Sequence, residues 1–429
     1  MPNYQNQRGT YDAYDGDALN IEKLRDILSQ IVATYGYNPI HTPIYEQTEL
    51  FARSAGESSD IVTKEMFSFV DKGGRNITLR PEITAGVIRA IVNNKLYATK
   101  DLPLKYYYYG PAFRYERPSA GRYRQFNQFG VECIGVNSYL NDVECISLGY
   151  NALTNIGFDK VILKINTLGD EASRQAYQIA LREYFADKLT SMCPDCRRRY
   201  EQNVLRILDC KVIEDQEIIK NAPKMSDFIN DESKAYFNKV LELLDEQQIP
   251  YVIDETLVRG LDYYSHVVFE YHYIREDGTS LGAIGAGGHY DHLVKEVGGP
   301  ELSSVGFALG VERLNTLLKE IHPESYEQTN LDIFIIHMGE ETLTHAFLLM
   351  QDLRENGFSV DMTFENKGLG AQFKIAGRKN AKFALIIGEN EMKTYEYPVK
   401  CLSTAIQENV TYDNLATYLE EHLIEEELK

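Results

Sequence analysis

Arginine recurs in this sequence where it is costly to place. Arg114, in Phe113-Arg114-Tyr115-Glu116, and Arg124, in Gly121-Arg122-Tyr123-Arg124-Gln125-Phe126, fall within aromatic, strand-like runs. A guanidinium there costs burial energy unless a carboxylate or a phosphate pairs with it. Glu116 and Glu132 are the obvious structural partners, and a bound phosphate is the alternative. Similar mixtures of Arg, Glu and Gly occur in Leu79-Arg80-Pro81-Glu82-Ile83-Thr84, in Leu257-Val258-Arg259-Gly260-Leu261-Asp262-Tyr263-Tyr264 and in Gly306 to Leu314, which carries Glu312 and Arg313. Arginines beside glycine-bearing turns suit a polyphosphate, because the planar fork matches phosphate oxygens in pairs. The chain has no G-x-x-x-x-G-K-[ST] run, so a nucleotide site here is not a P-loop. Gly285-Ala286-Gly287-Gly288, taken alone, reads as a glycine-rich strand edge.

Three of the six cysteines, Cys193, Cys196 and Cys210, lie close in sequence. They offer one C-x-x-C and a third thiol, with no His nearby. A zinc site usually needs four ligands, so the expectation is structural thiols and no metal.

The elements that must position these groups follow from periodicity. Ile21, Leu24, Ile27, Leu28, Ile31, Val32 and Tyr35 recur at helical spacing. Asn76 to Leu79 reads as a strand. Lys105 to Glu116 and Phe126 to Val136 read as strands joined by the polar turn Arg117 to Arg122, an antiparallel hairpin. From about 170 to 230 charged helical stretches take over, which suggests an inserted helical module. Residues 232–248 form another helix, Val252 to Ile274 and Leu281 to Gly288 further strands, and Ser304 to Leu318 a strand, a glycine turn and a helix. A boundary is expected at Pro323 to Asn330. Beyond it, strands at Ile333 to His337, Phe358 to Thr363 and Ala381 to Gly388 alternate with helices at Glu341 to Asn356 and Ala371 to Arg378, a small α/β domain.

At 429 residues and 44% hydrophobic the chain can bury a large core in two or three domains. No apolar run of about 18 residues is present, so no membrane span is expected. The polar first ten residues lack the apolar stretch of a signal peptide, which points to the cytoplasm. A net charge of −20 repels polyanions in bulk, so any RNA contact must rest on local patches.

The five segments around Glu82, Arg114, Arg259, Gly285 and Arg313, in this order, resemble histidyl-tRNA synthetases of the bacterial type. The likeness runs from Arg8-Gly9-Thr10 to the C-terminal domain. Leu257 to Tyr264 is similar to that family's histidine motif, Phe113 to Glu116 to class II motif 2, and Gly306 to Leu314 to motif 3. The resemblance implies an α+β fold. A class II synthetase antiparallel sheet flanked by helices occupies residues 1–325, with the insertion, and an α/β anticodon-binding domain occupies 331–429. It also implies a homodimer and ligation of histidine to tRNA(His) through histidyl-adenylate, with ATP as substrate and Mg2+ on its phosphates. The alternative from another class is a catalytically impaired paralogue that senses histidine or regulates another enzyme.

Roles come with the resemblance. Arg114 and Arg259 are the expected catalytic cations at the α-phosphate. Glu116, Arg122, Phe126 and Arg313 would complete the ATP site. Glu82, Thr84, Gln128, Glu132, Tyr263 and Tyr264 would hold histidine; the alternatives are core packing for the two tyrosines and a structural pair with Arg124 for Glu132. Arg117 and Ser119 would meet the tRNA acceptor end. Lys374 and Arg378, with Lys379 and Lys382, would meet the anticodon stem, or form a solvated helix face. Three positions depart from the family's usual residues, one of them Asp15, where a proline is usual. Ile83 stands in place of Gly, which is expected to crowd the substrate. His289 stands in place of Arg, which is expected to remove a positive charge at neutral pH.

Overall fold

The computed structural model describes residues 4–56, 59–323 and 331–427. They divide into two compact units, Met1–Ala13 with Asn20–Pro323, and Tyr14–Leu19 with Glu324–Lys429.

Among the described residues the first unit contains eleven strands: β1 (Asn38–Pro39), β2 (Tyr45–Gln47), β3 (Phe67–Val70), β4 (Asn76–Leu79), β5 (Leu104–Phe113), β6 (Gln125–Ile134), β7 (Val161–Thr167), β8 (Tyr251–Ile253), β9 (Ser265–Tyr273), β10 (Ala283–Tyr290) and β11 (Ser304–Gly310). Eight form one sheet in the order β1-β5-β6-β11-β10-β9-β7-β8, and β2-β4-β3 form a small second one. Within the large sheet only the edge pairs β1/β5 and β7/β8 are parallel. The expected hairpin is β5–β6, antiparallel from Leu104↔Ile134 to Phe113↔Gln125.

Side chains on a strand alternate between faces, so the register fixes what each face presents. Val131, Phe129, Phe307, Leu309, Phe269 and Tyr271 join one hydrophobic core. Helix Asp15–Thr34 adds Ile21, Leu24, Leu28 and Val32 to that core, and helices Tyr139–Asn155, Asp231–Glu246 and Val311–Ile321 supply more. The intervening positions face the other way. One row across the sheet there runs Tyr106, Glu132, Gly306, Gly288, and the next runs Tyr108, Gly130, Ala308, Ala286, Glu270. These rows are small in the middle, on β11 and β10, and carry a carboxylate on either side, Glu132 on β6 and Glu270 on β9, which leaves room for a ligand over the sheet. The glycine-rich run is therefore not an edge, because β10 lies between β9 and β11.

The insertion is a helical module with its own core. Tyr177, Leu181 and Phe185 of helix Glu171–Phe185 pack with Met192, Ile207, Ile219 and Met225.

The second unit has strands β12 (Leu331–His337), β13 (Val360–Met362), β14 (Ala381–Ile387), β15 (Glu396–Cys401) and β16 (Gln407–Thr411), ordered β13-β12-β14-β15-β16. The first three are parallel and the last two antiparallel. Helices Leu343–Glu355, Leu369–Arg378 and Tyr412–Glu427 belong to this unit. The expected boundary falls mostly on residues 324–330, outside the described residues.

Candidate active site

The site is built over the small-residue rows of the first unit. Gly306 is required there, because a Cβ on it would run into the Glu132 carboxylate. Gly121, at φ +68°, lets the β5–β6 turn approach Arg313 closely. The result is a cavity of about 260 Å³. Glu82, Thr84, Arg114, Glu116, Arg122, Phe126, Gln128, Glu132, Arg259, Tyr263, Tyr264 and Arg313 all line it. The sequence scatters these residues over more than 200 positions; the sheet gathers them.

One part of the cavity is carboxylate-rich. Glu132 is buried and accepts hydrogen bonds from Thr84 Oγ1 at 2.6 Å, from Tyr108 Oη at 3.3 Å, and from Tyr290. Burial pushes its pKa up to about 8, against the pull of those bonds. Glu82 starts the turn into helix Thr84–Asn93 and accepts from Tyr263 Oη at 3.2 Å. Burial raises it to about 7, with Arg114 pulling the other way. Glu132 does not pair with Arg124. That guanidinium lies 3.6 Å from the Tyr115 ring centroid, and its Nε donates to the Glu116 carbonyl at 3.2 Å.

The other part is cationic. Arg114 donates from Nε to the Pro81 carbonyl at 2.8 Å, and its guanidinium lies 5.4 Å from the Phe126 ring centroid. Glu116 stands 4.0 Å from Arg114 and 3.5 Å from Arg122. Arg313 donates to the Ala283 carbonyl and is held below its usual pKa by burial and by neighbouring Arg122. Arg259 pairs with Glu270, which also meets His272 at 2.9 Å. Arg80, by contrast, is spent on structure: it donates to the carbonyls of Pro111 at 2.7 Å and Thr42 at 3.0 Å.

Among the described residues, three buried polar atoms that line this cavity have no partner: Glu82 Oε1, Gln128 Oε1 and Arg259 Nε. Orphaned buried polar groups are rare and costly, and a ligand carrying donors near Glu82 and Gln128 and an acceptor near Arg259 would complete all three. Glu116 and Glu270 are carboxylates that line the cavity near the arginines, oxygen donors of the kind that would suit Mg2+.

Three residues escaped the sequence reading. Tyr108 and Tyr290 support Glu132, and Glu270 holds Arg259. The signal was strand alternation, since Tyr108 and Glu270 share a row of the sheet face with Gly130, Ala308 and Ala286. Two expectations are corrected. Ile83 has ordinary helical geometry, φ −99° and ψ −27°, and packs into the core with Val87 and Leu104 rather than lining the cavity. His289 keeps its charge. It is buried between Asp142, 2.8 Å from Nδ1, and Asp291, 3.0 Å from Nε2. Burial alone would lower its pKa, but the two carboxylates outweigh that and raise it to about 10.

Arg117 is exposed on the β5–β6 turn, outside the cavity. Lys374 and Arg378 are exposed on one helix of the second unit. Their companions are engaged: Lys379 lies 2.5 Å from Asp361 and Lys382 3.6 Å from Asp332.

The family model for histidyl-tRNA synthetase matches residues 9–314, and that for an anticodon binding domain matches 332–422. The chain belongs to the histidyl-tRNA synthetase family. It is 44% identical to the histidine–tRNA ligase of Geobacillus kaustophilus, covering 99% of this chain and 100% of that one. The Thermosipho melanesiensis ligase is 45% identical over 96% of this chain and 97% of its own length. Among solved structures, apo histidyl-tRNA synthetase from S. aureus superimposes with a TM-score of 0.80 at 37% identity, covering 97% of this chain and 99% of that one. A Bacillus halodurans ATP phosphoribosyltransferase regulatory subunit/histidyl-tRNA synthetase shares the fold, with a TM-score of 0.64 at 21% identity. As a family member the chain has the class II mixed α/β architecture and uses ATP. Among the described residues no helix is long and apolar enough to cross a membrane.

Proposed function

We propose that this protein is a histidine–tRNA ligase. It activates histidine with ATP to histidyl-adenylate and transfers the histidyl group to the 3′ end of tRNA(His). The observation that carries this reading is the single cavity in which a carboxylate-lined pocket with two orphan acceptors adjoins a cluster of four arginines.

Glu82 pairs with the α-ammonium of histidine, with Thr84 and Gln128 adding hydrogen bonds. Glu132 and Tyr264 address the imidazole nitrogens, with Tyr263 beside them. A site built to pair both ring nitrogens rejects amino acids that leave those groups unpaired, by about 10⁴–10⁵. Arg114, Arg122 and Arg313 take the phosphates, with Glu116 and Phe126 completing the nucleotide pocket. A carboxylate oxygen of histidine attacks the α-phosphorus, and pyrophosphate leaves. Arg114 and Arg259 oppose the charge that builds on the α-phosphate oxygens in that step, so catalysis rests on positioning and electrostatics. Mg2+, when bound, offsets charge on the phosphate oxygens, with Glu116 and Glu270 available to hold it. In the second step a ribose hydroxyl of the tRNA end attacks the adenylate carbonyl and AMP departs.

Residues 1–325, with the insertion at about 170–230, form the catalytic domain and 331–429 the anticodon-binding domain. Arg117 faces the acceptor end, and Lys374 and Arg378 face the anticodon stem. The working form is a cytoplasmic homodimer. The full-length likeness to ligases and the presence of both domains leave the regulatory alternative unsupported. ATP–pyrophosphate exchange tests the reading: exchange that depends on histidine is expected. Exchange equal with and without histidine, or none at all, overturns it.

A further inference from the structure

The insertion module holds a second cluster of side chains with no part in the reaction above. Cys193 caps the helix Pro194–Gln202, which carries Cys196 on its first turn. The chain then makes the short turn Val204–Asp209, and Cys210 follows it. Asp215 comes from the next helix, Ile213–Ile219. The sequence offered three thiols and no evident fourth ligand; folding brings in Asp215.

Each of these four residues presents one ligand atom, and all four atoms lie within 4.8 Å of one another. Two thiolates on one tetrahedral zinc, each at about 2.3 Å, stand about 3.8 Å apart. Cys193 Sγ and Cys210 Sγ are 3.8 Å apart. Asp215 Oδ2 lies 3.2 Å from Cys210 Sγ, near the about 3.5 Å of a tetrahedral S–Zn–O pair. The surrounding backbone is also arranged for thiolates. Cys196 N–H points at Cys193 Sγ at 3.4 Å, and Val212 N–H at Cys210 Sγ at 3.5 Å. The Cys193 N–H donates to both Asp215 oxygens, at 3.1 and 3.2 Å, and so orients that carboxylate. Outer hydrogen bonds of this kind orient ligands and tune a metal site.

We propose that Cys193, Cys196, Cys210 and Asp215 form a closed structural site for a divalent zinc ion. Thiolate-rich tetrahedral sets select zinc over the harder cations. The ion replaces the thiol protons of the three cysteines and ties three elements of the module together. Its position gives it a purpose. The segment between the ligands reaches the active-site wall: Asn203 donates to Asp262 of the histidine-motif loop at 2.8 Å, and Arg206 meets Asp60 at 3.0 Å. The ion therefore fixes the strut that braces this loop.

The full-length chain, reduced and stripped of metal, is titrated with Co2+ as a spectroscopic stand-in. One equivalent should bind, with thiolate-to-cobalt charge-transfer absorption and the intense visible bands of tetrahedral cobalt, and stoichiometric Zn2+ should bleach both. In parallel, the wild-type chain is alkylated with and without Zn2+ and the labelled cysteines are mapped by mass spectrometry. Zn2+ should protect Cys193, Cys196 and Cys210 and leave Cys401 labelled equally. Absence of the charge-transfer band, or labelling indifferent to Zn2+, overturns the site. Cys193→Ser and Asp215→Ala should each weaken Zn2+ binding at least tenfold, and undiminished affinity in both overturns the ligand assignment. The two wild-type measurements decide the matter even if those variants fold poorly.

Discussion

In the proposed reaction Arg259 and Glu82 do different work, and their substitutions separate. Removing one donor to developing charge typically costs about 2.7–4 kcal/mol, or 10²–10³ in rate. Arg259→Ala should therefore lose at least a hundredfold in histidine-dependent pyrophosphate exchange while equilibrium ATP binding changes little; unchanged exchange would remove Arg259 from the reaction. Glu82 and Glu132 have folded pKa values of about 7 and about 8, above the unfolded carboxylate range of about 4.3. Raised carboxyl pKa values favour the folded state when protonated. That contribution is whole below about pH 4.3 and is lost as pH rises through 7 and 8. Glu82→Gln removes the cost at high pH, so the ligand-free variant should match wild type in denaturant midpoint near pH 4 and exceed it at pH 9, by on the order of 1–3 kcal/mol, while losing histidine activation. A difference that does not open between pH 4 and pH 9 would contradict the buried-acid account. His289 runs the opposite way. Its folded pKa of about 10 exceeds the unfolded about 6.5, so its stabilisation is whole below 6.5 and fades as pH climbs to 10. His289→Gln leaves the fully buried Asp142 uncompensated and should cost about 3–5 kcal/mol at pH 7 by urea unfolding, with the gap narrowing towards pH 10. A gap independent of pH would mean that His289 is not charged.

At the scale of elements, one acid gathers three of the contacts between the insertion module and the rest of the catalytic unit. Asp60 accepts from Arg198 at 3.1 Å, Arg199 at 3.2 Å and Arg206 at 3.0 Å. Burial alone would raise its pKa, but the arginines hold it low. Asp60→Ala should speed amide hydrogen exchange across residues 194–210 at least tenfold, with exchange in the β5–β6 hairpin unaltered. Unchanged exchange across residues 194–210 would show that contacts other than those of Asp60, such as Asn203 to Asp262, hold the module. Elements with strong periodicity were legible beforehand: the β5–β6 hairpin, the first helix and the parallel β12-β13-β14 core each fall within a few residues of expectation. β15 was not, because Pro398 interrupts a short strand whose pairing partners β14 and β16 lie on either side of it.

At the scale of the whole molecule, a chain with net charge −20 must bind a polyanion through local cations. Lys374 and Arg378 are exposed on a helix of the second unit. Their joint replacement by Ala should lower kcat/KM for tRNA charging about tenfold, flatten the salt dependence of tRNA binding by about one unit of slope per cation, and leave pyrophosphate exchange unchanged. Loss of exchange as well would place the defect in folding rather than in RNA contact.

The sequence by itself determined which chemistry was on offer. Guanidinium-bearing strands, glycine turns and a tyrosine-rich motif are local patterns, and local patterns survive in one dimension. Only the tertiary structure decided which arginine is structural, as Arg80 is, and which carboxylates stand beside an orphaned lone pair. It also decided that His289 stays a cation and that Asp215 joins three cysteines. Each of these depends on burial and on charges brought close by strand register or helix packing. Those distances are set by how the elements pack, whether the partners are 22 residues apart, as Cys193 and Asp215 are, or 147, as Asp142 and His289 are, so no spacing in the sequence encodes them.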